Sequence, residues 1–210
     1  MKKSRKYLWG GSVLLAAFVL WTLLVCRVDV QPIGPNGSRV GFAAINGAFH
    51  RWTGVHWTLY TVTDWLGLVP LGFLLGFSVL GLVQLIQRRR LCKVDHSILV
   101  LGGFYIAVMA VYLLVEALAV NHRPVLIDGN LEASYPSSTT VLVLSVIPTA
   151  MMQLRQRIRS GPVRRAVLIA LGIFSAFMVI GRALSGVHWM SDIVGGLLLS
   201  AGLVALYGFA

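Results

Sequence analysis

The feature that most constrains the fold is the length of the apolar runs. Hydrophobic residues make up 57% of the chain and charged residues 12%. They fall in long blocks, without the rhythm of a half-buried helix or strand. A soluble domain carries about a quarter charged residues, and outer-membrane barrels alternate polar and apolar residues along short strands. The sequence therefore predicts an all-α, polytopic membrane protein.

Six of these blocks come close to the ~20 residues that cross a bilayer core of about 30 Å. The predicted spans are 7–25, 65–86, 97–120, 138–154, 166–184 and 190–208. The first is expected to be a retained signal anchor, because no small-residue cleavage pattern follows it. With no internal repeat, residues 1–210 are predicted to form a single membrane-embedded domain.

The basic residues predict the orientation of the spans. The net charge is +11, and 13 of the 18 Lys and Arg residues precede the first span or lie in the loops joining spans two to three and four to five. The positive-inside rule then places both termini in the cytoplasm. This pattern explains the charge without a nucleic-acid partner and makes the bilayer the expected partner. Short loops and the lack of further domains indicate a bacterial plasma membrane.

The longest segment outside the spans, residues 26–64, opens with the turn-forming stretch QPIGPNGS. An apolar stripe with spacings of three and four follows, made of Phe42, Ile45, Phe49 and Trp52. It predicts an amphipathic helix in the membrane interface, either a packing element or one wall of a lipid access site. Asp64, just before the second span, is expected to cap it.

Polar residues gather on both sides of the second outer loop. Arg123 and Pro124 follow the third span, and Pro136 precedes the hydroxyl run Ser137, Ser138, Thr139 and Thr140 that opens the fourth. A helix start with free N–H groups favours an anion. Taken alone, most such hydroxyl runs only cap the helix.

The sixth span begins with a His and an Asp four residues apart. Arg182 ends the fifth span, and His188 and Asp192 follow a very short loop. At this spacing the two side chains share one helix face, so the carboxylate can orient the imidazole as a nucleophile or base. The alternative is that Arg182 and His188 only extend their polar ends to the membrane–water interface while Asp192 caps the helix.

These clusters are all predicted at the same extracytoplasmic level. Two guanidinium groups and a helix N-terminus suit the oxygens of a phosphate, and an Asp-held imidazole suits attack on phosphorus without a metal or cofactor. Together they favour a phosphotransfer site over snorkelling side chains.

At these residues the chain resembles the type 2 phosphatidic acid phosphatases, whose motifs are Lys-x6-Arg-Pro, Pro-Ser-Gly-His and Ser-Arg-x5-His-x3-Asp. The resemblance implies that His188 forms a phosphohistidine and that Asp192 orients it. It also implies a phosphate cradle, made of Arg123, Arg182, Ser137, Ser138 and Thr139.

Four positions depart from the family motifs. Glu116 stands in the place of the Lys, Ser138 and Thr139 in those of the second-motif Gly and His, and Gly181 in that of the Ser. The missing His is the expected acid for the leaving group, and losing general acid catalysis costs about 10²- to 10⁴-fold in rate. His122 and Glu116 are the substitute acids that the sequence offers.

The resemblance implies an enzyme, a membrane phosphatase acting on a lipid phosphate. Without the acid, a lipid diphosphate such as a polyprenyl diphosphate is the expected preference, because its leaving phosphate is already a stable anion. The alternatives are a lipid phosphotransferase and a non-catalytic homologue that binds or transports a phospholipid. The lipid and the oligomeric state stay open.

Overall fold

A computed structural model describes residues 2–209, with side chains from Arg5 onward. The described chain contains eight α-helices and no strand. They are α1 (Lys2–Arg27), α2 (Ala43–Thr53), α3 (Trp57–Leu66), α4 (Leu68–Arg88), α5 (His96–Ala117), α6 (Ser138–Arg157), α7 (Gly161–Leu184) and α8 (Met190–Tyr207). Single 3₁₀ turns at Pro35–Gly37 and Leu91–Lys93 interrupt two of the loops.

Five segments are long and apolar enough to cross a membrane. They are Arg5–Arg27, Trp57–Arg88, His96–Ala117, Gly161–Leu184 and Met190–Tyr207. The prediction of an all-α, polytopic membrane protein is thereby confirmed. Each segment overlaps one of the six predicted spans.

The fourth predicted span corresponds to α6, which is not among those five segments. This helix packs against α4, α5, α7 and α8. Its buried face includes the polar residues Ser145, Thr149 and Gln153. A helix surrounded by protein does not need the apolar surface that lipid demands, so its hydropathy is low. The count of six spans stays a prediction.

The segment before α4 differs from the sequence-based expectation. The chain is already helical from Trp57, eight residues before the predicted start of the span, and α3 runs into α4 at Gly67. Asp64 therefore lies inside α3 and does not cap the second span. Its carboxylate lies 3.6 Å from the guanidinium of Arg182. The predicted amphipathic helix is present as α2, and its place in the membrane interface stays a prediction.

The helices alternate in direction, so the ends of α1, α5 and α7 meet the starts of α6 and α8 at one end of the bundle. Tyr135, the residue before Pro136, anchors this end. Its ring stacks on Phe18 of α1 and its hydroxyl lies 2.8 Å from that of Thr22. Gly195 of α8 is required here, because a Cβ would come within 2.6 Å of the Tyr135 ring. The start of α6 is thereby fixed against α1 and α8.

Candidate active site

Asp192 is held at the start of α8 from two sides. Its Oδ2 accepts the backbone N–H of Trp189 at 3.0 Å, as a carboxylate in the first helical turn does in a capping box. Its Oδ1 accepts the side-chain amide of Asn121 at 3.1 Å. The residue is fully buried. These bonds hold the carboxylate in a fixed position beside the loop that carries His188.

His188 lies in the tight loop between α7 and α8. Gly186 in this loop has a φ of 72°, and a Cβ there would come within 1.9 Å of the Gly54 carbonyl oxygen. The imidazole is 2% exposed. Its Nε2 lies 3.2 Å from Arg123 Nη1, and its Nδ1 lies 3.7 Å from Asp192 Oδ2. The second distance is within ion-pair range but too long for a hydrogen bond.

These contacts determine where the imidazole carries its proton. Arg123 can only donate, so Nε2 of His188 must accept and Nδ1 carries the proton. Burial, together with the charges of Arg123 and Arg182, lowers the pKa of His188 to about 4 against the opposing effect of Asp192. The ring is therefore neutral near pH 7, and Nε2 is its unprotonated nitrogen.

Arg123 is positioned by the loop between α5 and α6. The loop doubles back so that the N–H of Arg123 donates to Glu132 O at 3.0 Å, and that of Ser134 to Asn121 O at 2.9 Å. The Arg123 Nε also donates to the Glu132 carboxylate at 2.9 Å. Arg123 is thus shared between this carboxylate and His188.

A cavity of about 360 Å³ brings several of the predicted residues together. It is lined by Tyr112, Glu116, Arg123, Glu132, Ala133, Ser134, Tyr135, Pro136, Ser138 and His188. The Arg, the His and the α6 start thus face one space. A helix start offers N–H groups that have no partner inside the helix.

Two other residues of the predicted phosphate cradle, Ser137 and Thr139, do not line the cavity. Ser137 is fully buried; its N–H donates to the Asp192 carbonyl oxygen at 3.2 Å and its hydroxyl accepts from Thr140 at 3.0 Å. Thr139 is also buried and does not line the cavity. Ser138 is the member of this run whose side chain reaches the cavity.

Arg182 is buried but does not line the cavity. Its guanidinium lies 4.8 Å from the centre of the Tyr60 ring and 3.4 Å from the Thr63 hydroxyl. A Cβ on Gly181 would come within 2.7 Å of the Thr63 methyl group. The space of the family's Ser is thus filled by α3, which explains the Gly at this position.

The two substitute acids differ in their surroundings. Glu116 lines the cavity with His188. The His122 side chain is not part of that lining, and its backbone carbonyl accepts the Trp189 indole N–H at 2.7 Å. Of the two, only Glu116 lines the cavity that His188 lines.

Sequence reasoning missed Asn121, Glu132 and Ser191. Asn121 stands two residues before Arg123, in the run Asn-His-Arg-Pro, from which the sequence predicts roles for His122 and Arg123 only. Ser191 directly precedes Asp192. No spacing pattern marks Asn121 and Ser191, because their contacts join segments about 70 positions apart. Glu132 pairs with Arg123, nine positions before it, across a loop without regular structure.

Neither a protein-family model nor a curated protein sequence matches the chain. Among solved structures, it is similar to the first transmembrane PAP2-type phosphatidylglycerolphosphate phosphatase from Bacillus subtilis. The TM-score is 0.61 at 18% identity, over 96% of this chain and 94% of that one. The chain has the fold of that phosphatase. At this identity the similarity establishes the fold, and the activity depends on the residues of the site.

Proposed function

We propose that this chain is a membrane phosphatase of the type 2 phosphatidic acid phosphatase superfamily, acting on a lipid phosphate. The observation that carries the proposal is one cavity lined by both Arg123 and a neutral His188, with Asp192 3.7 Å behind the imidazole. A buried guanidinium supplies fixed donors for a phosphate oxygen. A neutral imidazole supplies a lone pair for phosphorus.

The reaction proceeds in two displacements. The Nε2 lone pair of His188 attacks phosphorus, the bond from phosphorus to the leaving oxygen breaks, and the phosphoryl group stays on the ring. Asp192 stabilises the positive charge that the ring then carries on its Nδ1 side. Water attacks the phosphohistidine and releases phosphate, which restores the free imidazole.

Binding of the phosphate must also free the nucleophile. Arg123 Nη1 occupies the Nε2 lone pair at 3.2 Å, and Nε of the same side chain pairs with Glu132. A phosphate that draws the guanidinium toward its own oxygens exposes Nε2 for attack. Arg182 acts as a second clamp only if it turns from α3 toward the cavity.

The leaving group determines the preferred substrate. The second-motif His is replaced by Thr139, which is buried and away from the cavity. A lipid diphosphate releases a phosphate anion that needs no proton, so we propose a preference for a polyprenyl or similar lipid diphosphate. For a monoester, Glu116 is the acid that the cavity offers.

The site faces the extracytoplasmic side in this proposal. The basic loops next to Arg88 and Arg157 lie at the end of the bundle away from His188, because α4 and α6 end there. Under the positive-inside rule that end is cytoplasmic. The short loops and the fold shared with a Bacillus subtilis protein support a bacterial plasma membrane.

The test is a paired assay of the purified protein in detergent. A polyprenyl diphosphate and the monophosphate of the same lipid are compared by phosphate release, each with wild type and His188→Ala. We expect faster turnover of the diphosphate and loss of both activities in the variant. Equal or faster turnover of the monophosphate refutes the preference, and full activity of His188→Ala refutes the nucleophile. Transfer of phosphate to an added lipid or sugar alcohol instead of water identifies a phosphotransferase.

A further inference from the structure

A buried polar network joins four segments of the chain behind the imidazole. Asn121 Nδ2 donates to Asp192 Oδ1 at 3.1 Å and to Ser191 Oγ at 3.2 Å. Asn46 of α2 donates to the same Ser191 Oγ at 2.9 Å and accepts the Ser191 N–H at 3.1 Å. The Gly41 N–H closes the network by donating to Asn121 Oδ1 at 3.2 Å.

Every side chain in this network is at most 1% exposed. Buried polar groups of this kind are held in one arrangement, because each broken hydrogen bond leaves an unpaired group away from water. Asn121 is therefore fixed by the backbone of residue 41 on one side and directs its amide at the carboxylate on the other.

The two oxygens of Asp192 have different partners. Oδ2 accepts the Trp189 N–H and faces His188 Nδ1, while Oδ1 accepts from Asn121 at 3.1 Å and from the Ser191 hydroxyl at the longer distance of 3.5 Å. The carboxylate can rotate about its last bond, and the Trp189 N–H holds only one oxygen. The Asn121 amide holds the other and so fixes the plane in which Oδ2 faces the ring.

From this geometry we infer that Asn121 is a positioning residue for the Asp192–His188 pair, supported through Ser191 by Asn46 of α2. The inference rests on the proposed function, since it assigns Asn121 to the same reaction. It also assigns a role to α2. Through Ser191, this helix between the first two spans helps to hold the carboxylate that orients the nucleophile.

The isosteric variant Asn121→Asp tests the inference. It keeps the shape and the acceptor for the Gly41 N–H, but replaces the donor with a charge that repels Asp192. We expect kcat to fall about 10- to 100-fold, the range for losing an outer partner of a catalytic group. KM should stay within about two-fold. The matched control is Asn130→Asp in the same loop, whose exposed side chain donates only to the Asp128 carbonyl.

Ser191→Ala provides a second variant that keeps the volume of the core. It removes the hydroxyl shared by the two Asn side chains, and with it the 3.5 Å bond from that hydroxyl to Asp192, but leaves the shorter bond from Asn121 to Asp192. A smaller fall of about 3- to 10-fold is therefore expected. In an Asp192→Ala background, Asn121→Ala should cause no further fall. Additive losses in that background, or an Asn121→Asp kcat equal to wild type, overturn the inference.

A readout independent of turnover separates this inference from the proposed function. In protein labelled with ¹⁵N-histidine, the proton on His188 Nδ1 is observed with inorganic phosphate added. We expect a slowly exchanging resonance in wild type, because the ring is buried, and its loss by exchange in Asn121→Asp. The same resonance in both proteins overturns the inference. A wild type that hydrolyses no lipid phosphate refutes the proposed function, while this resonance still decides the role of Asn121.

Discussion

Because His188 is buried, we expect the enzyme to keep its activity at acid pH. The pKa of His188 is lowered from 6.5 to about 4 by burial. This lowering corresponds to about 3 kcal/mol against the protonated ring. At pH 5.5 the imidazole should then be about 3% protonated, against about 90% for a histidine in water. Since the neutral ring is the nucleophile, a lowered pKa extends to lower pH the range in which the enzyme is active.

The measurement is the dependence of kcat/KM on pH between 4 and 8, with the protein in detergent. We expect the loss of activity attributable to the enzyme to have its midpoint below pH 5. The substrate also titrates near pH 6, so the His188 ring is titrated separately without substrate by ¹⁵N NMR, with His188→Gln to assign its signals. A ring midpoint between pH 6 and 7 would refute the reasoning, because the imidazole would then be solvated or paired closely with Asp192.

Three further predictions concern single positions. Glu116→Lys should lower KM for a lipid monophosphate by up to about ten-fold, because it replaces a repelling charge at the cavity with an attracting one; Glu116→Gln should give a smaller fall, and an unchanged KM in both would contradict this. Gly181→Ser should lower the free energy of unfolding by about 1–3 kcal/mol through its collision with the Thr63 methyl group, and Thr63→Ser should restore most of it in the double variant; thermal melting in detergent measures both. Asp64→Asn should lower KM by no more than about five-fold, because the ion pair that the exposed Asp64 makes with Arg182 is weak. A raised KM would show that Asp64 supports phosphate binding.

The apolar runs predicted most of the fold. Each span leaves a block of suitable length in the sequence. The His188–Asp192 spacing predicted one shared helix face, but only Asp192 lies in α8, because His188 stands before the N-cap residue Trp189. These are local properties that depend only on nearby residues. The position of α3 was not predictable, because Trp57 and Asp64 belong to a mixed stretch that becomes helical by packing on α7.

The site was only partly predictable for the same reason. Arg123, Ser138 and His188 line one cavity, but the orientation of a long side chain depends on its neighbours in space. Arg182 turns to Tyr60 and Thr63, which no spacing in the sequence indicates. The Asn121 network likewise depends on a contact that only the folded chain brings together.

The central claim is that His188 carries the phosphoryl group, and trapping the intermediate tests it most directly. Wild type and His188→Ala are mixed with a lipid diphosphate labelled with ³²P on its terminal phosphate, then quenched in alkali, where phosphohistidine survives. The account predicts label on wild type that is lost on mild acid treatment and localises to the peptide containing His188, with none on the variant. Equal labelling of the variant, or turnover by wild type with acid-stable label elsewhere, would contradict it.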